Sequence, residues 1–410
     1  MSDTHYADEL HTALVAHLER QGGMTSRHDH DALRAAARHL IERGGVMIPA
    51  EKQNETIRQV LDRMLGWGPL TTLLSDPTVT EIMVNGPHSV YVERAGILER
   101  LTEINLSGEE ILQIMSRMVS MVDRRIDTAS PLVDARLPDG SRVNAIIPPL
   151  SLTGPVLTIR RFPSRPLMLD DLVKKGTLTE SMAKFLQAAI AAKQNIVISG
   201  GTGSGKTTTL NALASCIPNT ERIITIEDAA EMQLTHPHLI SLEARPSNLE
   251  GKGEIPVRLL LKNALRMRPD RIIVGEIRGG EALDMLQAMN TGHQGSLTTV
   301  HANAPLEALL RIETMTLMAD LDLPLSAIRQ QISQALHLVV QQERLRDGRR
   351  VISVISEVTR GNSTENEPYA LLPLYTFDKR NDKFCAEGHL PLFEDAYRNE
   401  GVMLNAVWFA

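Results

Sequence analysis

The stretch Asn195–Thr209, NIVISGGTGSGKTTT, decides the fold of this chain. Its apolar run Ile196–Ile198 predicts a short buried strand, and the residues from Lys206 onward predict the start of a helix. The segment between them fits the phosphate-loop pattern G-x-x-x-x-G-K-T. Glycines let backbone N–H groups converge on phosphate oxygens, and the helix N-terminus adds a positive field. We therefore predict nucleotide binding by Gly200, Gly201, Thr202, Gly203, Ser204, Gly205, Lys206, Thr207 and Thr208.

Two side chains of this segment have specific expected roles. Lys206 reaches the outer phosphates, and the Thr207 hydroxyl is a predicted Mg²⁺ ligand. The alternative is a glycine-rich turn that happens to precede a lysine, and the strand–loop–helix context disfavours it.

Composition restricts the remaining possibilities. A chain of 410 residues predicts two or three domains. The net charge of −7 and the lack of a long basic run argue against a dedicated nucleic-acid binder. Two distant cysteines indicate a reduced compartment without a metal or disulfide framework. The polar N-terminus is unlike a signal peptide, and no apolar run approaches the roughly 18 residues that span a bilayer. We expect a cytoplasmic protein that meets a membrane only through a partner.

Residues 1–66 predict a small bundle of three helices. The third is the clearest, because Ile57, Val60, Leu61 and Met64 follow helical spacing. Gly22-Gly23 and Gly44-Gly45 are expected to end helices. The histidines lie on several faces without the arrangement of a metal site, so a solvated surface is preferred for His5, His11, His17, His28, His30 and His39. We predict that this bundle docks a partner.

Residues 67–162 predict an α+β domain. Asn85-Gly86 and Pro138-Asp139-Gly140 read as hairpin turns, and Ser107–Glu110 reads as a capping box that starts a helix. The expected strands are 79–84, 90–93, 132–137, 142–147 and 156–159. Arginines lie on or beside these strands, and a solvated sheet face explains them as well as a binding role does: Arg136, Arg142, Arg160 and Arg161.

Residues 163–410 alternate strand and helix, which predicts a parallel sheet with helices on both faces. Pro163 and Pro166 mark a predicted hinge before it. The expected strands are 196–198, 222–226, 239–242, 272–274 and 296–300, followed by a β-rich tail with strands at 351–358 and 371–377. The expected helices are 181–193, one from Lys206, 257–267, 281–289, 306–318 and 325–335.

Chemically active residues cluster at the ends of three of these strands, where α/β sheets bind ligands. Glu227 and Asp228 follow one strand, Glu276 follows another, and His293 and His301 flank a third. Glu276 is expected to hold Mg²⁺ through water and to orient the attacking water. The two histidines are candidate γ-phosphate sensors, although a lone histidine on a strand is more often a core residue.

Four ordered strings resemble the type II/type IV secretion ATPase superfamily. GGTGSGKTTTLNAL, IITIEDAAEMQL, NALRMRPDRIIVGEIRGGEA and GHQGSLTTVHAN match its Walker A, Asp box, Walker B and His box. Upstream, DPTVTEIMVNGPHSVYVER, VDARLPDGSRVNAIIPPL and LTIRRF resemble its tight-adherence (Flp) pilus branch, often called CpaF.

The resemblance implies a cytoplasmic homo-hexamer with a RecA-like ATPase domain that works on an inner-membrane platform protein. It implies ATP and Mg²⁺ as cofactors and no direct nucleic-acid partner. Carried over to this chain, the catalytic set is Glu276, Glu227, Arg142, Arg160, His293 and His301, with Thr207, Glu276 and Asp228 at the metal; Arg161 is a less secure match. Walker B lacks a terminal Asp here, and the Cys₄ insertion of the classical type II branch is absent.

The sequence therefore predicts a Mg²⁺-dependent motor for tight-adherence pilus assembly or type II-like secretion. The alternative is the ATPase of a type IV secretion or conjugation channel. Two further rivals are a nucleotide-gated scaffold that turns over too slowly for a motor, and a DNA translocase, which the charge disfavours.

Overall fold

The structure is a computed structural model that describes residues 3–20, 30–94, 96–162, 165–245, 247, 252–319, 323–360 and 369–410. Gly22-Gly23, His28 and Pro163 lie outside these residues. The chain divides into two compact units, residues 1–164 and 165–410. The predicted division into three domains stays a prediction. Across the described ranges, no helix combines the length and the apolar character that a membrane crossing requires.

The first unit begins with helices α1 (Asp3–Arg20), α2 (His30–Glu42) and α3 (Gln53–Leu65). Leu10 and Leu14 of α1 pack with Leu33 of α2 and with Val60 and Leu61 of α3 in one hydrophobic cluster. These residues repeat at three- and four-residue intervals, so each helix turns one apolar stripe toward the others. The predicted helices are confirmed.

An antiparallel sheet follows in the same unit. The elements of this part of the chain are α4 (Leu70–Ser75), β1 (Val79–Asn85), β2 (Val90–Arg94), β3 (Ile97–Leu101), α5 (Gly108–Ser120), β4 (Leu132–Arg136), β5 (Arg142–Ile146) and β6 (Val156–Arg160). The strands pair in the order β3-β2-β1-β6-β5-β4. Helix α5 starts with the predicted capping box, in which Ser107 Oγ accepts from the Glu110 N–H and Ser107 N–H donates to the Glu110 carboxylate.

One face of this sheet is apolar and the other is polar. Ile82, Val143 and Ile159 alternate inward and pack with Ile111 and Met115 of α5. Arg142 and Asn144 point to the other, exposed face. Strand β3 was not predicted, because it is an edge strand with four exposed residues and therefore lacks a buried alternation.

The second unit carries the phosphate loop on a larger sheet. Its first part comprises α6 (Leu169–Lys174), α7 (Glu180–Ala191), β7 (Ile196–Gly200), α8 (Lys206–Ala214), β8 (Ile223–Glu227), β9 (Leu239–Glu243), α9 (Val257–Ala264), β10 (Arg271–Val274), α10 (Glu281–Asn290) and β11 (Leu297–Val300). Its second part comprises α11 (Pro305–Leu317), α12 (Leu325–Ala335), β12 (Leu338–Arg344), β13 (Arg350–Arg360), β14 (Tyr369–Asp378), β15 (Lys383–Ala386), α13 (Glu394–Asn399) and a 3₁₀ turn at Ala406–Phe409.

The sheet of this unit is mixed. The strand order is β15-β14-β13-β12-β7-β11-β10-β8-β9, and β12, β7, β11, β10, β8 and β9 run parallel. The tail strands β13–β15 are antiparallel and extend the sheet beyond β12. The expectation of an α/β unit with a β-rich tail is confirmed. Strand β12, which pairs directly with β7, was missed.

Helices cover both faces of the parallel part. Ile196 and Ile198 of β7 belong to the cluster that includes Phe185 of α7 and Leu210 of α8. Val197, between them, belongs to the opposite cluster with α9, α10, α11 and α12. Burial on both faces is the reason why this strand contains the continuous apolar run Ile196–Ile198.

Candidate active site

The phosphate loop joins the buried strand β7 to helix α8. Gly205 has φ +98°, a left-handed conformation that favours glycine. At Gly200 a Cβ atom would lie 2.3 Å from the carbonyl oxygen of Gln342 on the neighbouring strand β12. These two glycines are thus required by the backbone and by a close neighbour, respectively. The loop delivers the N-terminus of α8, the expected anion-binding end.

The Lys206 ammonium lies over this loop. Its Nζ donates to the carbonyl oxygens of Gly200 (3.0 Å) and Gly201 (2.9 Å), and both ring nitrogens of His301 lie 3.4 Å away. The side chain is buried, which lowers the pKa of Lys206, while the charge of Glu276 opposes that shift. A buried ammonium beside loop carbonyls is a strong point charge for a phosphate.

Glu276 lies just after strand β10 and meets two basic groups. One carboxylate oxygen is 3.2 Å from His301 Nε2, and the other accepts from Arg278 Nη2 at 2.7 Å. Burial, followed by the positive charge of Lys206, lowers the pKa of His301, so this imidazole is neutral at pH 7. The hydrogen bond to Glu276 raises the pKa of Arg278. The structure therefore brings Lys206, Glu276 and His301 together.

The two acids of the Asp box behave differently. Asp228 is about half exposed, and its carboxylate is 3.7 Å from Arg278 Nη1, so Arg278 links it to Glu276. Glu227 is buried, and its Oε1 accepts the backbone N–H groups of Glu231 (2.9 Å) and Met232 (3.1 Å). These bonds make Glu227 an anchor of the loop that follows β8.

His293 does not join this cluster. Strand β11 separates it from His301, and residues on the two sides of a strand lie at its opposite ends, here about 13 Å apart from the strand length alone. His301 is at the carboxyl end with the phosphate loop, whereas His293 precedes the strand. Its carbonyl accepts from Ser296 Oγ at 2.7 Å, which fixes the turn into β11. The structure places only His301 beside the phosphate loop, and a catalytic role for His293 stays a prediction.

The predicted arginines belong to the first unit. Arg142 of β5 pairs directly with Arg160 of β6 and with Arg136 of β4, so their side chains form one row on the polar face. Arg142 and Arg160 are exposed, and the Arg136 guanidinium lies 5.5 Å from the ring of Phe162. Arg161 instead donates to the carbonyl oxygens of Val79 (2.9 Å) and Asp76, so it braces β6 against the start of β1.

Arg278 is the main residue that sequence reasoning missed. Its position two residues after Glu276 was the available signal, but a charged residue just after a strand usually indicates a solvated side chain. A cavity of about 700 Å³ opens beside it, lined also by Gly201, Thr202 and His301 and continued along α11 by Leu310 and Met318. This space adjoins the outer side of the phosphate loop.

Oxygen ligands for a cation are available at the loop. Thr207 follows Lys206, and the carboxylates of Glu276 and Asp228 lie on either side of Arg278. The described residues contain no group of three or more His, Cys, Asp or Glu residues that would enclose a metal. Mg²⁺ needs no such group, because it typically retains waters and uses one or two carboxylates together with substrate phosphates.

A phosphate loop at the carboxyl edge of a largely parallel sheet, with a glutamate joined to its lysine through a histidine, defines a phosphate-loop nucleotide hydrolase. Residues 64–364 match the family described as Type II/IV secretion system protein. The chain belongs to this family and is an ATPase.

Relatives and solved structures agree with this assignment. The chain is 38% identical over 307 residues to the conjugal transfer protein TrbB of Rhizobium radiobacter, covering 73% of this chain and 91% of TrbB. It is 33% identical over 331 residues to the type IV secretion system protein VirB11 of Bartonella henselae, covering 71% and 91%. The structure of the pilus retraction motor PilT with bound ADP shares the fold, with a TM-score of 0.53 at 20% identity over 81% of this chain and 86% of PilT. The predicted superfamily is confirmed, and these two sequence relatives carry conjugation and type IV secretion names.

Proposed function

We propose that this protein is the Mg²⁺-dependent ATPase that powers a type IV secretion or conjugal-transfer channel. The observation that carries the hydrolytic part is the position of Glu276, which contacts His301, which in turn contacts the phosphate-loop lysine. The names of TrbB and VirB11 support a channel over a pilus. The motor works as a homo-hexamer at the cytoplasmic face of the inner membrane, on a membrane platform protein of its machine.

Tight-adherence pilus assembly is the second candidate. The strings Asp76–Arg94 and Val133–Leu150 in the first unit resemble that branch. Both candidates share the catalytic residues, so hydrolysis does not separate them. Genes for pilin and prepilin peptidase beside this one favour the pilus, and genes for a conjugation channel favour the channel.

The side chains at the loop support a division of labour. Lys206 pairs with the outer phosphates, and Glu276 orients and polarises the attacking water. His301 Nε2 lies 3.2 Å from Glu276 Oε1, and this contact orients the Glu276 carboxylate. Thr207, Glu276 and Asp228 would supply oxygen atoms that bind Mg²⁺ directly or through its waters, and the bound ion would neutralise phosphate charge. Arg142 and Arg160 are proposed to add positive charge at the nucleotide in the assembled motor.

Two substitutions test the hydrolytic assignment. Lys206→Ala is expected to abolish ATP binding, because the phosphates lose their buried point charge. Glu276→Gln is expected to retain ATP binding and to lower turnover about 10²–10³-fold, the usual loss for a group that stabilises a transition state. Binding is measured by titration and turnover by phosphate release.

Glu180→Gln is the matched control, since Glu180 is an exposed surface residue of α7 paired with Lys184. It is expected to leave both quantities unchanged. Wild-type turnover in Glu276→Gln would assign the catalytic base to another acid, and Glu227 would be tested next.

A further inference from the structure

The hairpin formed by β12 and β13 packs against the phosphate loop. Gln342 of β12 pairs with Gly200 in the parallel register, and its side chain lies against Gly205, where a Cβ would be 3.0 Å from Gln342 Nε2. The same Cβ would be 3.1 Å from Cδ of Arg350, the first residue of β13. The hairpin therefore packs directly against the phosphate loop at Gly200 and Gly205.

The hairpin is also fixed to the helix that follows the loop. Gln342 Oε1 accepts from Thr209 Oγ1 at 2.8 Å, and both side chains are buried. Because Gln342 also belongs to the strand that pairs with β7, the hairpin is anchored on both sides of the loop. A side chain that projects from this hairpin toward the loop is therefore held in a fixed position.

Arg350 is such a side chain. Its Nε donates to the carbonyl oxygen of Gly203 at 3.0 Å, and Gly203 has φ +70°. Since a trans peptide is planar, its C=O and the next N–H point in opposite directions. Arg350 holds the Gly203 carbonyl on one side of the Gly203–Ser204 peptide, and the Ser204 N–H on the other side donates to the Gly201 carbonyl across the loop at 3.4 Å. The orientation of this peptide, part of the backbone that a phosphate loop presents to its ligand, is therefore fixed from both sides.

We propose that Arg350 is a positioning residue that presets the phosphate loop for the nucleotide. The proposal rests on the proposed function, because the loop must bind a nucleotide for its shape to matter. Arg350 contacts the loop through the Gly203 carbonyl. Its loss is therefore expected to weaken nucleotide affinity while leaving the hydrolytic step intact.

The same hairpin provides a matched control. Arg349 precedes Arg350 and pairs with Asp347 (2.7 Å) and Asp382 (2.8 Å) at the surface. Arg349→Met removes one arginine from the same turn and breaks these two pairs. If Arg350 merely stabilises the hairpin, the two substitutions have similar effects on thermal unfolding and neither changes nucleotide affinity.

The experiment measures the dissociation constant for ADP, together with kcat and KM for ATP, in the full-length protein. Arg350→Met is expected to raise the ADP dissociation constant about three- to tenfold, the loss of one hydrogen bond at an exposed site. KM is expected to rise by the same factor, with kcat at saturating ATP within about twofold of wild type. Arg349→Met is expected to leave the ADP dissociation constant unchanged.

Each other outcome overturns the proposal. An unchanged ADP dissociation constant in Arg350→Met removes the positioning role. A fall in kcat larger than the rise in KM places Arg350 in the chemical step instead. Wild-type protein that fails to bind ADP overturns the proposed function, and the inference with it. If Arg350→Met does not fold, Arg350→Lys replaces it with the same expected direction, because lysine retains the charge and the aliphatic stem but lacks the Nε donor.

Discussion

Replacing Arg271 with methionine tests how the site is supported from the far edge of the sheet. Arg271 begins β10, the strand that leads to Glu276, and its side chain is 0% exposed. It donates twice to Glu221, at 2.5 and 3.2 Å, and to the carbonyl oxygens of Gly295 (3.1 Å) and Ile190 (2.9 Å). One guanidinium thus joins α7, β10 and the turn before β11.

The expected loss of stability follows from these partners. Removing one member of a buried ion pair typically costs about 3–5 kcal/mol, because the remaining charge stays buried. Glu221 keeps 14% of its side chain exposed, so we expect the lower end, about 3 kcal/mol. With a urea m-value of about 3 kcal/mol per M for a unit of this size, the midpoint falls by about 1 M.

The two tryptophans of the chain make the assay specific. In a Trp67→Phe background the remaining tryptophan is Trp408, which packs against the core of the second unit. Its fluorescence follows urea unfolding of that unit. Arg349→Met is the control and is expected to leave the urea midpoint nearly unchanged, because its partners are exposed. A midpoint for Arg271→Met equal to that of the control would refute the reasoning.

Three further predictions concern the arginine row, a buried histidine and the N-terminal helices. Arg160→Ala is expected to lower ATP turnover without lowering the melting temperature, because Arg160 is exposed and faces the like charge of Arg142; normal turnover would return these arginines to a solvated sheet face. Burial lowers the pKa of His337 to about 4, so as pH falls from 6.5 to 4 the unfolded chain takes up the proton first and stability drops by about 3 kcal/mol. His337→Gln is expected to flatten that slope in urea titrations at each pH, and an unchanged slope would contradict the assignment. A chain starting at Gly66 is expected to hydrolyse ATP at close to the full-length rate yet fail to support secretion or pili in cells, and loss of hydrolysis in the purified protein would rule out a pure docking role.

The sequence predicted the phosphate loop well because every requirement there is local. A buried strand, a glycine-rich turn and a helix start lie within fifteen residues, and each has its own residue preferences. The same is true of the capping box at Ser107, where both hydrogen bonds join residues three apart. Elements of this kind can be predicted from a few consecutive residues, because the interactions that form them are local.

Strand β12 escaped prediction because its partners are distant in the sequence. Gln341 and Gln342 are each 1% exposed, although glutamine normally indicates a surface position. Gln341 Nε2 donates to the carbonyl of Ala302 at 3.3 Å, and Gln342 accepts from Thr209. These bonds offset part of the cost of burying the two amides, while Gln341 Oε1 has no hydrogen-bond partner among the described residues. The partners lie far away in the sequence, so no local pattern predicts the bonds. The support that the hairpin gives to the phosphate loop was hidden for the same reason.

The histidines illustrate a different limit. The motif identified His293 and His301 correctly as flanking a strand, and the strand direction alone was sufficient to separate them. In a parallel sheet only residues after the strands reach the edge where the phosphate loop lies. His301 meets that condition and His293 does not. Two residues of one sequence motif therefore do not have to lie at one site.

The surroundings of Glu276 make its substitution easy to interpret. One oxygen meets His301 at 3.2 Å and the other meets Arg278 at 2.7 Å, yet the Arg278 side chain is 64% exposed. An ion pair with so exposed a partner contributes about 0–1 kcal/mol to stability, since water replaces the lost carboxylate. Glutamine retains the size of the side chain and one oxygen that accepts a hydrogen bond. A fall in turnover of about 10²–10³ corresponds to roughly 3–4 kcal/mol in the barrier, well above what the lost ion pair contributes. A folded Glu276→Gln protein that binds ATP but does not hydrolyse it therefore reports on the chemistry of the carboxylate and not on the integrity of the site.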